Sequence, residues 1–139
     1  MPSSDLSKKE IRYFNIAKEK ALLSDHRCKM GAVVVYKHKI ISWGRNSAIN
    51  TDIIQAQLDS IKYNCPCEGK LHAESDALIY FIKKGISLKG AEIYVYRKLA
   101  NGNSAMARPC SSCMKLIRQC GIRKIHYTTN DGFATEILM

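Results

Sequence analysis

The predicted order of helices and strands places this chain of 139 residues in the α/β class. Apolar residues recur at helical spacing in three segments, and runs of apolar and β-branched residues mark five strands. The order is helix, strand, strand, helix, strand, helix, strand, strand, which is typical of a layered fold with helices packed on a sheet. The length favours one domain that spans residues 1–139.

The three predicted helices have recognisable start or stop signals. The first, over residues 6–23, follows a run of serine and aspartate that suits an N-cap. The second is predicted over residues 72–84 and the third over residues 110–120. Gly85 and Gly121 follow them directly and provide the left-handed residue that commonly ends a helix.

The five strands are predicted at residues 31–36, 39–43, 91–97, 123–128 and 133–138. Lys37 and His38 join the first two as a hairpin, although Lys-His is not a favoured two-residue turn. Residues 48–64 are expected to form a loop that becomes partly helical. Only 11 residues follow Thr128 (139 minus 128), too few for a helix and a parallel strand. The last strand is therefore predicted to return antiparallel.

The composition favours an intracellular, cytoplasmic protein with anionic partners. The net charge is +10, from 22 basic and 12 acidic side chains, which suits nucleotide phosphates or nucleic acid. These charges are spread along the chain and form no basic arm. No apolar run is long enough to span a membrane, no signal peptide is apparent, and no membrane partner is expected. Six cysteines without a secretory signal indicate metal binding more than disulfides.

Two short motifs carry the chemistry. His72 and Glu74 form H-x-E, and Pro109, Cys110 and Cys113 form P-C-x-x-C. One imidazole nitrogen and two thiolates suit Zn²⁺, which binds such ligands in a tetrahedron. Three protein ligands leave the fourth position open for water, as in catalytic zinc sites. Zinc lowers the pKa of such a water from about 15.7 to about 7. Glu74 is then predicted to move the protons.

The remaining cysteines raise two alternatives. Cys65 and Cys67, with His26 or Cys28, could form a second, structural zinc site, although reduced buried cysteines are the favoured interpretation. A fourth ligand from Cys67 or Cys120 would close the first site, but Glu74 would then have no purpose.

The two motifs resemble those of the zinc-dependent cytidine deaminase superfamily. Within it, the chain is similar to the deoxycytidylate deaminases, the tRNA adenosine deaminases and the polynucleotide cytidine deaminases. The resemblance covers roughly residues 28–128 and includes the segments 29–35, 42–46 and 120–125. It implies a three-layer α/β/α fold, with a five-stranded mixed sheet and helices on both faces. The predicted final hairpin departs from deoxycytidylate and tRNA deaminases, which carry a helix there.

The resemblance also implies substrate-binding residues. Asn46 occupies the position where the family uses an asparagine against the sugar or base; otherwise it is a residue that ends a strand. The backbone amides of Ala73 and Cys110 are expected near the ring oxygen or the water. Arg45 and Arg108 are candidates for phosphate binding, because guanidinium fits phosphate bidentately, although each could be only a solvated charge.

Three features each have two interpretations. Trp43 could stack on a base, but core packing is favoured, and Tyr127 is similarly ambiguous. Deoxycytidylate deaminases join the third strand to P-C-x-x-C almost directly, whereas about ten residues intervene here, within residues 97–108. This segment either shapes the pocket for a larger substrate or is a neutral surface insertion.

Three functions compete. The first is hydrolytic deamination of a cytosine nucleotide or nucleoside to the uracil form, with release of ammonia. The second is deamination of cytosine or adenine in single-stranded DNA or RNA. The third is a non-catalytic, zinc-stabilised binding module. The resemblance leaves a homo-oligomer open as well.

Overall fold

The computed structural model describes residues 7–25, 28–47 and 72–138. Within them lie three helices: α1 (Lys8–Ala21), α2 (Ala73–Lys84) and α3 (Ser111–Gln119). The strands are β1 (Lys29–Tyr36), β2 (Lys39–Arg45), β3 (Glu92–Lys98), β4 (Ser104–Ala105), β5 (Lys124–Thr128) and β6 (Phe133–Ile137). The predictions for residues 48–64 and for His26, Cys65 and Cys67 lie outside the described residues.

The strands form one mixed sheet in the order β2-β1-β3-β5-β6, with β4 paired to β3. β3 and β5 are parallel, and the other pairs are antiparallel, including the predicted return of β6 beside β5. The mixed α/β fold is confirmed, but five strands is wrong because the described residues contain six. The extra strand, β4, lies within the segment 97–108, for which no strand is predicted after residue 97.

β4 arises because the chain folds back on itself after β3. The backbone N–H of Leu99 donates to the carbonyl of Asn103 at 2.8 Å, and this tight turn returns the chain beside β3. Ala105 then pairs with Arg97, and Ser104 pairs with Lys98. Polar residues that suggest a loop therefore build a short hairpin in front of the P-C-x-x-C motif.

Helices cover both faces of the sheet. The α1 face buries one apolar cluster, and the face beneath α2 and α3 buries a second, larger one. The first consists of Tyr13, Phe14, Ala17, Val33, Val35, Tyr94 and Tyr96. The second includes Ala32, Val34, Ala77, Leu78, Ile93, Val95, Ile117 and Ile125. Alternate residues of β1 and β3 thus enter opposite layers, as the two-residue period of a strand requires.

Local signals explain where α1 begins and how β1 turns into β2. Ser7 caps α1 in a capping box with Glu10, so the helix begins at Lys8 and not at residue 6. Lys37 and His38 have φ values of 50° and 66°. Positive φ at both central residues is the requirement of a type I′ turn. The predicted hairpin is therefore confirmed, in spite of its unusual turn residues.

Two glycines allow the helices to approach the sheet closely. A Cβ at Gly31 would collide with the backbone of α1 at Ala17 and Ala21. A Cβ at Gly44 would collide with the backbone of α2 at Ala73 and Ala77. The hydroxyl of Ser42 also donates to the carbonyl of Ala77 at 2.6 Å. These contacts hold the first turns of α2 against β2. None of the helices in the described ranges is long and apolar enough to cross a membrane.

Candidate active site

His72 and Cys110 occupy the same structural position on two different helices. His72 is the N-cap of α2 and Cys110 is the N-cap of α3, both with extended backbone geometry. Neither side chain makes the usual capping hydrogen bond to its own helix. The imidazole and the thiol instead face each other, although 38 residues separate them in sequence. Two helix N-termini therefore converge on one point.

The third member of this cluster is Cys113, in the first turn of α3. The sulfurs of Cys110 and Cys113 lie 3.8 and 3.2 Å from Nδ1 of His72. The ligand atoms of all three residues lie within 4.8 Å of one another. Zinc bonds of about 2.3 Å to sulfur and about 2.0–2.1 Å to nitrogen, at a tetrahedral angle, separate N and S by about 3.6 Å. The observed spacings lie on either side of that value, so the three residues fit a zinc ion.

The electrostatics of the cluster favour a thiolate. A hydrogen bond with Cys113, assisted by His72, lowers the pKa of Cys110 to about 3 although burial opposes this. The N-terminus of α3 also favours negative charge at this position. A deprotonated sulfur is the form that binds metal.

Cys120 does not join the cluster. It is the C-cap of α3, ten residues after the N-cap Cys110 (120 minus 110), or about 15 Å along the helix axis. Burial raises the pKa of its thiol to about 11. Cys120 is thus a neutral core residue and not a fourth ligand.

Glu74 lies in the first turn of α2, two residues after His72, and is only 3% exposed. Burial raises the pKa of its carboxyl group, and His72 partly opposes this. Among the described residues, the group that could hold a metal ion consists of His72, Cys110 and Cys113, without Glu74. A buried carboxylate therefore stands next to the cluster without belonging to it.

Asn46 follows the end of β2, and its side chain forms hydrogen bonds with the backbone at the start of β1. Its Oδ1 accepts from the backbone N–H of Met30 at 2.9 Å, and its Nδ2 donates to the carbonyl of Cys28 at 2.5 Å. These contacts match the alternative of a residue that ends a strand. Its contact with a substrate stays a prediction, as does that of the backbone amide of Ala73, the first residue of α2.

The two arginines predicted for phosphate make other contacts in the structure, and their contact with phosphate stays a prediction. Arg45 pairs with Gly31 in the sheet, and Gly31 faces α1 on the opposite side from α2. Arg108 makes a bidentate ion pair with Glu136 at 2.6 and 3.1 Å. The hydroxyl of Tyr127 donates to the same carboxylate at 2.6 Å. Arg108 and Tyr127 thus tie β5 and β6 to the segment that leads into α3.

Trp43 is 42% exposed, so the favoured prediction of core packing is wrong. It lies on β2, which forms the edge of the sheet, and the ammonium of Lys20 sits 4.3 Å from its ring. An edge strand leaves such a side chain open on one side. Tyr127, by contrast, is buried in the core beneath α2 and α3.

Arg97, which the sequence predicts only as the end of the third strand and the start of segment 97–108, stands out in the structure. Arg97 is the last inward-facing residue of β3, after Ile93 and Val95, which are buried beneath α2 and α3. The signal was present in the sequence, because a charge continues a period-two apolar pattern. That pattern does not say whether the strand still has a covered face at this residue.

The chain belongs to the family described as the cytidine and deoxycytidylate deaminase zinc-binding region. The sequence model of this family matches residues 7–129. ComE operon protein 2 of Bacillus subtilis is 31% identical over 101 residues, which are 73% of this chain and 48% of that protein. Deoxycytidylate deaminase of Enterobacteria phage T2 is 33% identical over 60 residues, 43% of this chain and 27% of that protein. The chain thus spans about half or less of these relatives.

Solved structures agree with this family. The dCMP deaminase of cyanophage S-TIM5 in its apo form has a TM-score of 0.63 and 26% identity, over 89% of this chain and 86% of that one. The same enzyme in complex with dCMP and dUMP gives a TM-score of 0.60 and 28% identity, over 89% and 85% of the two chains. Cytidine deaminase from Burkholderia pseudomallei shares the fold, with a TM-score of 0.62 and 16% identity over 95% and 93%.

Proposed function

We propose that this protein deaminates a cytosine nucleotide of the dCMP type by hydrolysis. The observation that carries the proposal is the convergence of His72, Cys110 and Cys113 at two helix N-termini beside the buried Glu74. The similarity to a dCMP deaminase that binds dCMP and dUMP supports a nucleotide as substrate. His72, Cys110 and Cys113 would hold zinc, which supplies a Lewis acid that makes water a nucleophile near neutral pH.

The chain's own residues then account for the movement of protons. Water attacks C4 of the cytosine ring, and the carboxylate of Glu74 takes one proton from it. Glu74 delivers that proton to N3, where it remains in the uracil product. The second proton of the water leaves with the amino group as ammonia, the C4–N bond breaks, and C4 keeps the oxygen as a carbonyl. A buried carboxylate that is not a ligand is suited to carry a proton in this way.

The backbone supports the orientation of these groups. The carbonyl of His72 accepts from the N–H of Asp76 at 3.0 Å and from the hydroxyl of Ser75 at 3.0 Å. The carboxylate of Asp76 accepts in turn from the backbone N–H of Arg45 at 3.0 Å. The turn that carries His72 and Glu74 is therefore anchored to β2. The reacting groups can then stay in position between catalytic cycles.

A substrate panel tests the proposal. The zinc-loaded protein is incubated with dCMP, deoxycytidine, cytidine and a cytosine-containing oligonucleotide, and ammonia and uracil products are measured. We expect turnover of dCMP, and loss of at least about 100-fold in the isosteric variant Glu74→Gln. Asp76→Asn is the matched control, because it removes a charge from the same helical turn but keeps an oxygen that can accept from Arg45. It should retain most activity.

The second candidate function is deamination of a base in single-stranded DNA or RNA. The net charge of +10 favours it, because nucleic acid is an anionic partner. Turnover of the oligonucleotide with inert dCMP and cytidine would contradict the proposal and support this alternative. If neither protein released ammonia from any substrate, and Glu74→Gln bound its partners as the wild type does, the results would instead support a non-catalytic zinc module.

A further inference from the structure

Arg97 has an unsatisfied buried donor on the face of the sheet that carries the candidate active site. Its Nε is buried and has no hydrogen-bond partner in the described part of the chain. Its Nη2 contacts the sulfur of Cys28 at 3.6 Å, and sulfur is a weak acceptor. Buried donors on charged groups are costly to leave unpaired, so such a group calls for a partner that the described residues do not supply.

Arg108 differs from Arg97 in having an acidic partner for its guanidinium group. Arg108 is half exposed and nevertheless has a carboxylate partner with two hydrogen bonds, Glu136. Arg97 is more enclosed, and no ion pair joins it to an acidic side chain within residues 7–25, 28–47 and 72–138. A guanidinium enclosed without a countercharge favours an anion over a neutral carbonyl group, because the anion compensates the whole charge.

Arg97 lies between two segments that the site uses. On one side, it pairs with Met30, whose backbone N–H donates to Asn46. On the other side, its own backbone N–H donates to Oγ1 of Thr128 at 3.1 Å. The carbonyl of Thr128 accepts from Ala107 at 2.9 Å, three residues before Cys110. Arg97 therefore sits in a row across the sheet, between Asn46 and the segment that enters α3.

We propose that Arg97 binds the phosphate group of the nucleotide substrate and so selects nucleotides over nucleosides. This inference rests on the proposed function, since it names the substrate group that this site recognises. A guanidinium presents donors that match phosphate oxygens, and the phosphate would satisfy the donor that is now unpaired. We favour Arg97 over Arg45 and Arg108 in this role, because Arg45 lies on the strand position that faces α1 and Arg108 already has a carboxylate partner.

The test compares two substrates that differ only in the phosphate. We expect Arg97→Met to lower kcat/KM for dCMP by about 100-fold, as for the loss of charge-assisted hydrogen bonds, and for deoxycytidine by less than about threefold. Arg97→Lys should recover part of the dCMP activity. Arg12→Met, on the exposed face of α1, removes the same charge from the other side of the sheet and should leave both values unchanged.

Calorimetric titration with dCMP and with deoxycytidine, carried out in the Glu74→Gln background in which turnover is slow, adds a measurement of binding that does not depend on turnover. The inference would be overturned if Arg97→Met lowered kcat/KM equally for dCMP and deoxycytidine, or if it left the affinity for dCMP unchanged. Either result would leave the proposed function standing. If the wild type binds dCMP through Arg97 but does not deaminate it, the proposed function fails and the inference stands. If the wild type neither binds nor deaminates dCMP, both fail.

Discussion

Replacing Gly44 with alanine should move the helix that carries His72 and Glu74. The new Cβ would lie 2.9 Å from the carbonyl carbon of Asp76 and still closer to the backbone of Ala73. Ordinary contact begins near 3.4 Å, so the first contact alone requires a shift of about 0.5 Å. Backbone atoms cannot rotate away, and overpacking of this kind costs about 1–3 kcal/mol.

The same shift should weaken the site. A displacement of 1 Å can cost about 100-fold in rate. Because the contact with Ala73 is closer than the one with Asp76, the shift is at least about 0.5 Å and should cost about tenfold or more in kcat/KM. Zinc affinity, measured by competition with a chromogenic chelator, should fall together with the activity. Urea denaturation gives the loss of stability independently.

Gly85→Ala provides the control, because it strains the other end of α2. Gly85 has a φ of 66° with open space around it, so alanine there costs about 1–2 kcal/mol through backbone conformation alone. Gly85 is the C-cap of α2, 13 residues after the N-cap His72 (85 minus 72), or about 20 Å along the helix axis. It should lose similar stability but keep zinc affinity. Normal zinc affinity and kcat/KM in Gly44→Ala, or equal losses in both variants, would refute the reasoning.

Two further predictions concern stability. Burial lowers the pKa of His126, although Glu92 at 2.6 Å opposes this. Below about pH 6.5 the unfolded chain therefore binds more protons at this residue than the folded chain does, and stability should fall towards pH 5 by at most about 1.4 kcal/mol per pH unit. Urea titrations at pH 7, 6 and 5 should show a shallower dependence in His126→Gln, and an unchanged slope would contradict the burial argument. Glu136→Gln removes the half-exposed pair with Arg108 and should cost less than about 1 kcal/mol; a loss of several kcal/mol would show that the pair is far stronger than its exposure suggests.

Local sequence patterns were sufficient for much of the fold. Helical periodicity, strand alternation and terminal glycines predicted three helices and five of the six described strands, because each depends on residues within one or two turns. β4 was missed because it exists only through its pairing with β3, and polar residues without a partner strand resemble a loop. The exposure of Trp43 was missed for a related reason, since no local pattern says that β2 lies at the edge of the sheet.

The chemical groups of the candidate site were also predictable from the sequence. The residue types and short spacings of His72, Glu74, Cys110 and Cys113 determine which chemistry is available. Only the tertiary structure decided that two helix N-termini meet and that Arg108 is paired with Glu136. It also decided that Arg97 keeps a buried donor with no partner among residues 7–25, 28–47 and 72–138. The physical reason is that bonding and periodicity act over a few residues, whereas burial and charge pairing depend on segments that come together only when the sheet is covered.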